Sequence, residues 1–150
     1  MATYSLRRPL NEAEWQVYHT IRRRVLFENR GATDYDATHP DECRDGNHPL
    51  LLFLNDEPMG TIRVDIRRDA AIFRRVAVPE AQQRKGHGSA MLALAEKYAS
   101  ERGCTTVRSF LSPDAVGFYE RCGFHLEYAA GANHGDVPMS KSLHLAESAP

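Results

Sequence analysis

The stretch VAVPEAQQRKGHGSAMLALAEKYA, Val76 to Ala99, decides how the chain is read. An apolar, β-branched run stops at Pro79, and a short polar loop with Gln83, Arg84 and Lys85 follows. Two glycines then flank His87, and an amphipathic helix begins. A helix start carries unpaired backbone N–H groups and a partial positive charge, so an anion placed there is held by several amides at once. Gly86 and Gly88 lack the Cβ atoms that would keep a ligand off those amides, and Arg84 and Lys85 add cations beside them. The pattern is not a Walker A loop, because GxxxxGK[ST] is absent, and Met91 stands where GxGxxG requires its third glycine. The glycines alone would fit a polar turn that packs helix against strand. Gln83, Arg84, Lys85 and the preceding strand shift the reading toward a phosphate site.

Working outward, LLLFLN (Leu50 to Asn55), MGTIRVDIR (Met59 to Arg67) and AAIFRRVAV (Ala70 to Val78) read as three strands. The turns between them are short enough to force antiparallel neighbours. Upstream, Tyr4 and Leu6 suggest a short strand at best. Asn11 and Glu14 form an N-cap pair ahead of Trp15, Tyr18, Ile21 and Val25 at helical spacing. Residues 29–49 are rich in Asp, Gly and Pro and predict a loop with one irregular helix. Downstream, a helix from about Gly88 to Arg102 presents Met91, Leu94, Ala95 and Tyr98 on one face and closes at Gly103. CTTVRSFL is a strand, DAVGFYERC a short helix, FHLEYAA a strand, GANHGD a turn, VPMSKSL the last strand, and ESAP a frayed end. The fold class is α/β of mixed type, built on one central sheet. No repeat or linker divides the 150 residues, so a single domain over 1–150 is expected.

Bulk properties narrow the function. A net charge of −1 gives no global pull toward nucleic acid or membrane, and neither is expected as a partner. Cys43, Cys104 and Cys122 are odd in number and lack CxxC spacing, which fits a reducing cytoplasmic setting better than a disulfide framework. The N-terminal residues lack a signal peptide's apolar run, and no stretch is long and apolar enough to span a bilayer. His39, Cys43 and His48 do not have zinc-site spacing, so no metal is expected. Arg22, Arg23 and Arg24 cannot share one helix face, and are expected to wrap the solvated side.

VAVPEAQQRKGHGSAML resembles the acetyl-CoA-binding motif of the GNAT family of N-acetyltransferases, Q/R-x-x-G-x-G/A after a strand ending Val-x-Val. Gln83, Gly86 and Gly88 fill its defining positions. DAVGFYERCGF resembles the family's A-x-x-F-Y-x-x-x-G-F element through Ala115, Phe118, Tyr119, Gly123 and Phe124. The resemblance covers nearly the whole chain. It implies a mostly antiparallel sheet of six to seven strands with about four helices. The strands at Arg75–Val78 and Thr105–Phe110 would splay at the acetyl-CoA site. It further implies that the pyrophosphate lies on the amides of Arg84, Lys85, Gly86, His87, Gly88 and Ser89. The pantetheine arm would pair with the backbone of Val76, Ala77 and Val78.

Direct attack of a primary amine on a thioester, in a ternary complex, needs a neutral amine, oxyanion stabilisation and a proton for the leaving sulfur. By resemblance Tyr119 is the general acid. Its ordinary pKa near ~10 lies only a unit or two above a thiol's ~8.5; on pattern alone it would be a core residue. Where the family often has a cofactor-contacting Asn, seven residues before the tyrosine, this chain has Ser112. The strand Ile72–Val76 has no carboxylate to act as base, leaving Glu28, Asp36, His39 and Glu42 as candidates. Arg63, Arg67, Arg74 and Arg75 fall in strands around the expected cleft, where they could bind an anionic acceptor or the CoA 3′-phosphate. Cys122, with no adjacent His, reads as a buried structural thiol. The acceptor is a small-molecule or peptide amine, and a homodimer through sheet edges is possible by resemblance. The alternative is a non-catalytic acyl-CoA-binding module on the same fold.

Overall fold

The alternation in the first two long strands sends side chains to opposite faces of one sheet, as a period of two requires. Leu50, Leu52, Ile62 and Val64 pack into one cluster; Leu51 and Phe53 pack into another. The computed structural model describes residues 3–127 and 136–144. Its seven strands are β1 (Tyr4–Arg7), β2 (Asn47–Leu54), β3 (Glu57–Arg67), β4 (Ala70–Ala77), β5 (Thr106–Leu111), β6 (His125–Leu126) and β7 (Val137–Ser142). They form one sheet in the order β1-β2-β3-β4-β5-β7-β6. Every neighbouring pair is antiparallel except β4 with β5, which is parallel.

Helix α1 (Glu12–Arg22) begins where Asn11 accepts a hydrogen bond from the Glu14 amide at 2.9 Å. Its Tyr18 and Ile21 cover Leu51, Phe53 and Ala77 on one face of the sheet. The chain then continues through a π turn at Arg23–Phe27 and a 3-10 turn at Glu28–Arg30. Helices α2 (His87–Glu101) and α3 (Val116–Arg121) cover the other face, with Met91, Leu92, Ala95 and Tyr119 in the larger core. Three α-helices are present among the described residues rather than four. The irregular helix expected in residues 29–49 is a 3-10 turn at Pro40–Cys43.

Other differences have local causes. β2 starts at Asn47 rather than Leu50, and it accommodates Pro49 because β1 pairs only with Leu51–Leu54. The buried stripe of α2 is Met91, Leu92, Ala95 and Ala99, with Leu94 and Tyr98 at its margin. Arg22 is not on the solvated side. It is buried against Glu42, with which it forms an ion pair, and it donates to the Tyr18 hydroxyl at 2.8 Å. Tyr18 in turn donates to Glu42 at 2.7 Å. The expected turn at 131–136 except for Asp136, most of the strand beyond Leu126 and the frayed end lie outside the described residues.

Candidate active site

Parallel pairing of β4 with β5 runs only from Ala70↔Thr106 to Phe73↔Ser109. Past that point the two strands part. The cause is a bulge in β4: Arg63 of β3 faces Arg74, but Thr61 faces Ala77, so β4 carries one residue more than β3. Arg75 takes up the extra length with φ +55. The bulge also resets which side chains face which way. Ala71 and Phe73 point to the α2 side before it, and Val76 and Val78 pack there after it, whereas Ala77 lies in the α1-side cluster. Strict alternation would have placed Arg75 toward α2; instead its guanidinium lies 6.0 Å from the Phe27 ring, on the α1 side.

The parting strands open a cleft of about 1170 Å³. Val76, Val78, Ser109, Leu111, Ser112 and Tyr119 line its middle, and Gln83, Arg84, Gly86, Gly88 and Ser89 line one end. At that end the loop is held open by its own conformation. Arg84 has φ +64 and Gly86 φ +88, just ahead of α2. A Cβ on Gly86 would meet nothing within 4 Å and would project into the loop's free space. A Cβ on Gly88 would come within 3.2 Å of Phe118 Cζ, so that glycine lets α2 approach α3 closely. Gln83 turns back and donates from Nε2 to the Val78 carbonyl at 2.9 Å, fixing the loop to the end of β4. A cradle without side chains, amides at a helix start and a flanking Arg84 suit a polyphosphate.

Some of the anticipated residues turn their side chains away from the cleft while their backbone stays at the loop or strand edge. The His87 side chain is buried and meets the Tyr4 hydroxyl at 2.8 Å, leaving only its backbone near the loop. Ala77 is buried against α1, and the Lys85 side chain does not line the cleft. Ser112 lines it and hydrogen-bonds Asp114, holding that carboxyl below the usual range. The proposed bases do not converge: Glu28 pairs with Arg23, Asp36 bonds Thr38, His39 is exposed beside Asp41, and Glu42 is committed to Arg22 and Tyr18. Cys122 is only half-buried, with Sγ 4.0 Å from Ser89 Oγ. Among the described residues no cluster of three or more metal-binding side chains occurs, and no helix is long and apolar enough to cross a membrane.

Tyr119 is almost fully buried and lies beside Ser109, the last residue of β5 to pair with β4. Ser109 itself donates to the Phe73 carbonyl at 3.2 Å. Burial pushes the Tyr119 phenol up to about 12, while its hydrogen bond with Ser109 acts the other way. The gap to a thiol is therefore wider than the unit or two expected from free values, because the low-dielectric core penalises the phenolate.

The remaining wall was not legible as a unit. Asp65 is buried and binds Arg63 twice, at 2.7 and 2.9 Å, and Arg74 at 3.1 Å. Arg67 donates to Asn47 Oδ1 at 2.9 Å. These groups alternate on the α1-side face of β2, β3 and β4, where the apolar cover of α1 has ended.

The site is thus a sheet parted between its parallel central strands, with a glycine-shaped loop opening onto the gap. The comparisons narrow this further. Residues 10–124 match the model of the "Acetyltransferase (GNAT) family", and the chain belongs to that family. It is 24% identical over 123 residues to the uncharacterized protein YyaT of Bacillus subtilis, covering 81% of this chain and 83% of that one. A crystal structure from Lactobacillus plantarum superposes with a TM-score of 0.77 at 26% identity, covering 95% of this chain and 99% of that one. The PaiA N-acetyltransferase of Thermoplasma acidophilum, solved with coenzyme A, shares the fold with a TM-score of 0.75 at 18% identity, covering 93% and 99%.

Proposed function

We propose that the protein transfers acetyl from acetyl-CoA directly to an amine, with both held together in the cleft. The observation that carries this reading is the position of Tyr119. The strands separate at Phe73 and Ser109, and the phenol lies beside Ser109 at that point. The pyrophosphate would rest on the amides from Arg84 to Ser89, with the Arg84 guanidinium alongside. The pantetheine would hydrogen-bond the backbone edge of Val76–Val78, which β5 leaves unpaired. Ser112 would offer a short hydroxyl to the same arm. An amide in the bulged segment would receive the developing oxyanion.

Acetyl-CoA supplies the acyl group and the leaving thiolate. The new N–C bond forms as the C–S bond breaks, the sulfur takes a proton from Tyr119, and the proton lost from the amine nitrogen passes to water, which returns one to the phenolate. With its pKa near 12, Tyr119 remains protonated throughout the physiological range and is always a donor. None of the four candidate bases reaches the cleft. Arg74 and Arg75 line the acceptor side instead, and nearby cations disfavour a protonated amine. An acceptor entering that wall therefore loses its proton more readily, and a dedicated base is unnecessary.

The test is thiol release from acetyl-CoA over a panel of primary amines, for wild type and Tyr119→Phe. Release that depends on an amine and falls sharply in the variant supports the reading. CoA binding without release for any amine would favour the acyl-CoA-binding module.

A further inference from the structure

We infer that the acceptor amine carries an anionic group, a carboxylate or a phosphate, and that Arg75 is the residue that selects it. This rests on the acetyltransferase reading and adds the acceptor's chemical class.

The acceptor wall is rich in positive charge. Arg63, Arg67, Arg74 and Arg75 line the cleft, and of the acids that share the lining, Asp41, Asp65, Asp114 and Asp136, Asp65 is the one bonded to these arginines. Asp65 is already shared: both its oxygens are taken by Arg63, and one also by Arg74. Arg67 is held by Asn47. Arg75 has no hydrogen bond or ion pair with any described residue: its guanidinium lies 6.0 Å from the Phe27 ring, and Glu42 and Tyr35 act on it only through space. Burial, followed by the like charges of Arg22, Arg63 and Arg74, lowers its pKa from the ordinary arginine value. A guanidinium without a counter-ion in a concave, cation-rich wall is unfavourable unless a ligand supplies the negative charge.

Backbone geometry gives a second, independent line. Arg75 occupies the bulge at φ +55, a conformation that disfavours a long side chain. The bulge keeps Arg74 and Arg75 both on the α1 side, whereas regular alternation would have separated them. Their position is also wrong for the donor's phosphates. Arg74 and Arg75 lie at the bulge, before the open edge of Val76–Val78, whereas the loop at 84–89 follows that edge. Polycationic amines would meet net repulsion at this wall, while an amine with an adjacent anion would find a fork of donors.

The experiment compares kcat/KM for matched pairs: L-amino acids against their carboxamides, and phosphoethanolamine against ethanolamine, with spermidine as a polycation. Wild type, Arg75→Gln and Arg75→Lys are run, and CoA affinity is measured for each by calorimetry. Wild type is expected to favour the anionic member of one pair type by on the order of tenfold or more, mainly through KM. That pair type identifies the anion. Arg75→Gln collapses the ratio toward one, and Arg75→Lys restores part of it. A preference for spermidine or for the neutral members overturns the inference. So does a ratio unchanged in Arg75→Gln, or a variant whose sole defect is weaker CoA binding. Binding of the same pairs to the CoA complex reads the preference without turnover. A preference in binding with no turnover in any assay would overturn the acetyltransferase reading and keep the anion site.

Discussion

Ser109 closes the paired part of β4 and β5 through its hydrogen bond to the Phe73 carbonyl, and the same residue borders the Tyr119 hydroxyl. The point where the sheet opens and the proposed proton donor are thus fixed by one side chain. Loss of the phenol should therefore act on chemistry rather than on the opening itself. Tyr119→Phe is expected to lower kcat about 100-fold while the dissociation constant for CoA stays within about twofold, as checked by steady-state kinetics and calorimetry.

The same residue predicts a pH profile. An acid works below its pKa, and Tyr119 lies near 12 rather than the ordinary 10. The kcat/KM profile should rise as the acceptor amine deprotonates and show no descending limb near pH 10. A fall centred on pH 10 would mean that an unperturbed phenol, or another group, is the donor.

Gly86 and Gly88 should respond differently to alanine. At Gly86, with φ +88 and open space around a Cβ, the cost is conformational, about 1 to 2 kcal/mol of stability. At Gly88 the new methyl presses on Phe118 at 3.2 Å, beside the cradle. Its main expected effect is weaker CoA binding, with a smaller loss of stability. Denaturant melts combined with CoA titrations separate the two.

Much of this was readable from the residues. Turn lengths and alternation gave the antiparallel neighbours, and the glycine spacing after Pro79 marked the loop ahead of α2. The bulge at Arg75 was not readable, because AAIFRRVAV alternates plausibly without it. It decides where Arg75 points and where β4 parts from β5. Nor was Asp65 readable as an ion-pair centre: Arg63 lies two residues away on the same strand, but Arg74 belongs to β4, and only the register brings it to the same carboxylate. The partner of the His87 ring was not readable either: the fold brings Tyr4 from β1 to it. Arg22 lay in an arginine run that suggested solvent, and only the fold supplies Glu42 to bury it.

Asp65→Asn tests that centre. Neutralising the carboxylate leaves Arg63 buried without a counter-charge, at an expected cost of about 3 kcal/mol. For a chain of this size that lowers Tm by roughly 10 °C, measurable by calorimetric melting. Loss of less than about 1 kcal/mol would mean that Arg63 finds water or another acceptor.

Acid stability follows from Glu14. Hydrogen bonds from Arg7 and from the Leu10 amide hold its carboxyl near 2, below its ordinary 4.5. A depressed folded-state pKa contributes stability above 4.5 that is lost as pH falls toward 2. The stability difference between wild type and Glu14→Gln should therefore be full near neutrality and shrink through that window. A difference independent of pH would assign the effect to capping geometry instead.

The central claim is that the glycine-shaped loop ahead of α2 holds the phosphates of acetyl-CoA. Calorimetric titration of CoA into wild type, Gly86→Ala and Gly86→Glu tests it most directly, with the alanine variant controlling for backbone strain. Binding by wild type and Gly86→Ala, together with its loss in the folded Gly86→Glu protein, is the predicted result. No binding to wild type at millimolar CoA, or equal binding by the folded glutamate variant, would contradict it.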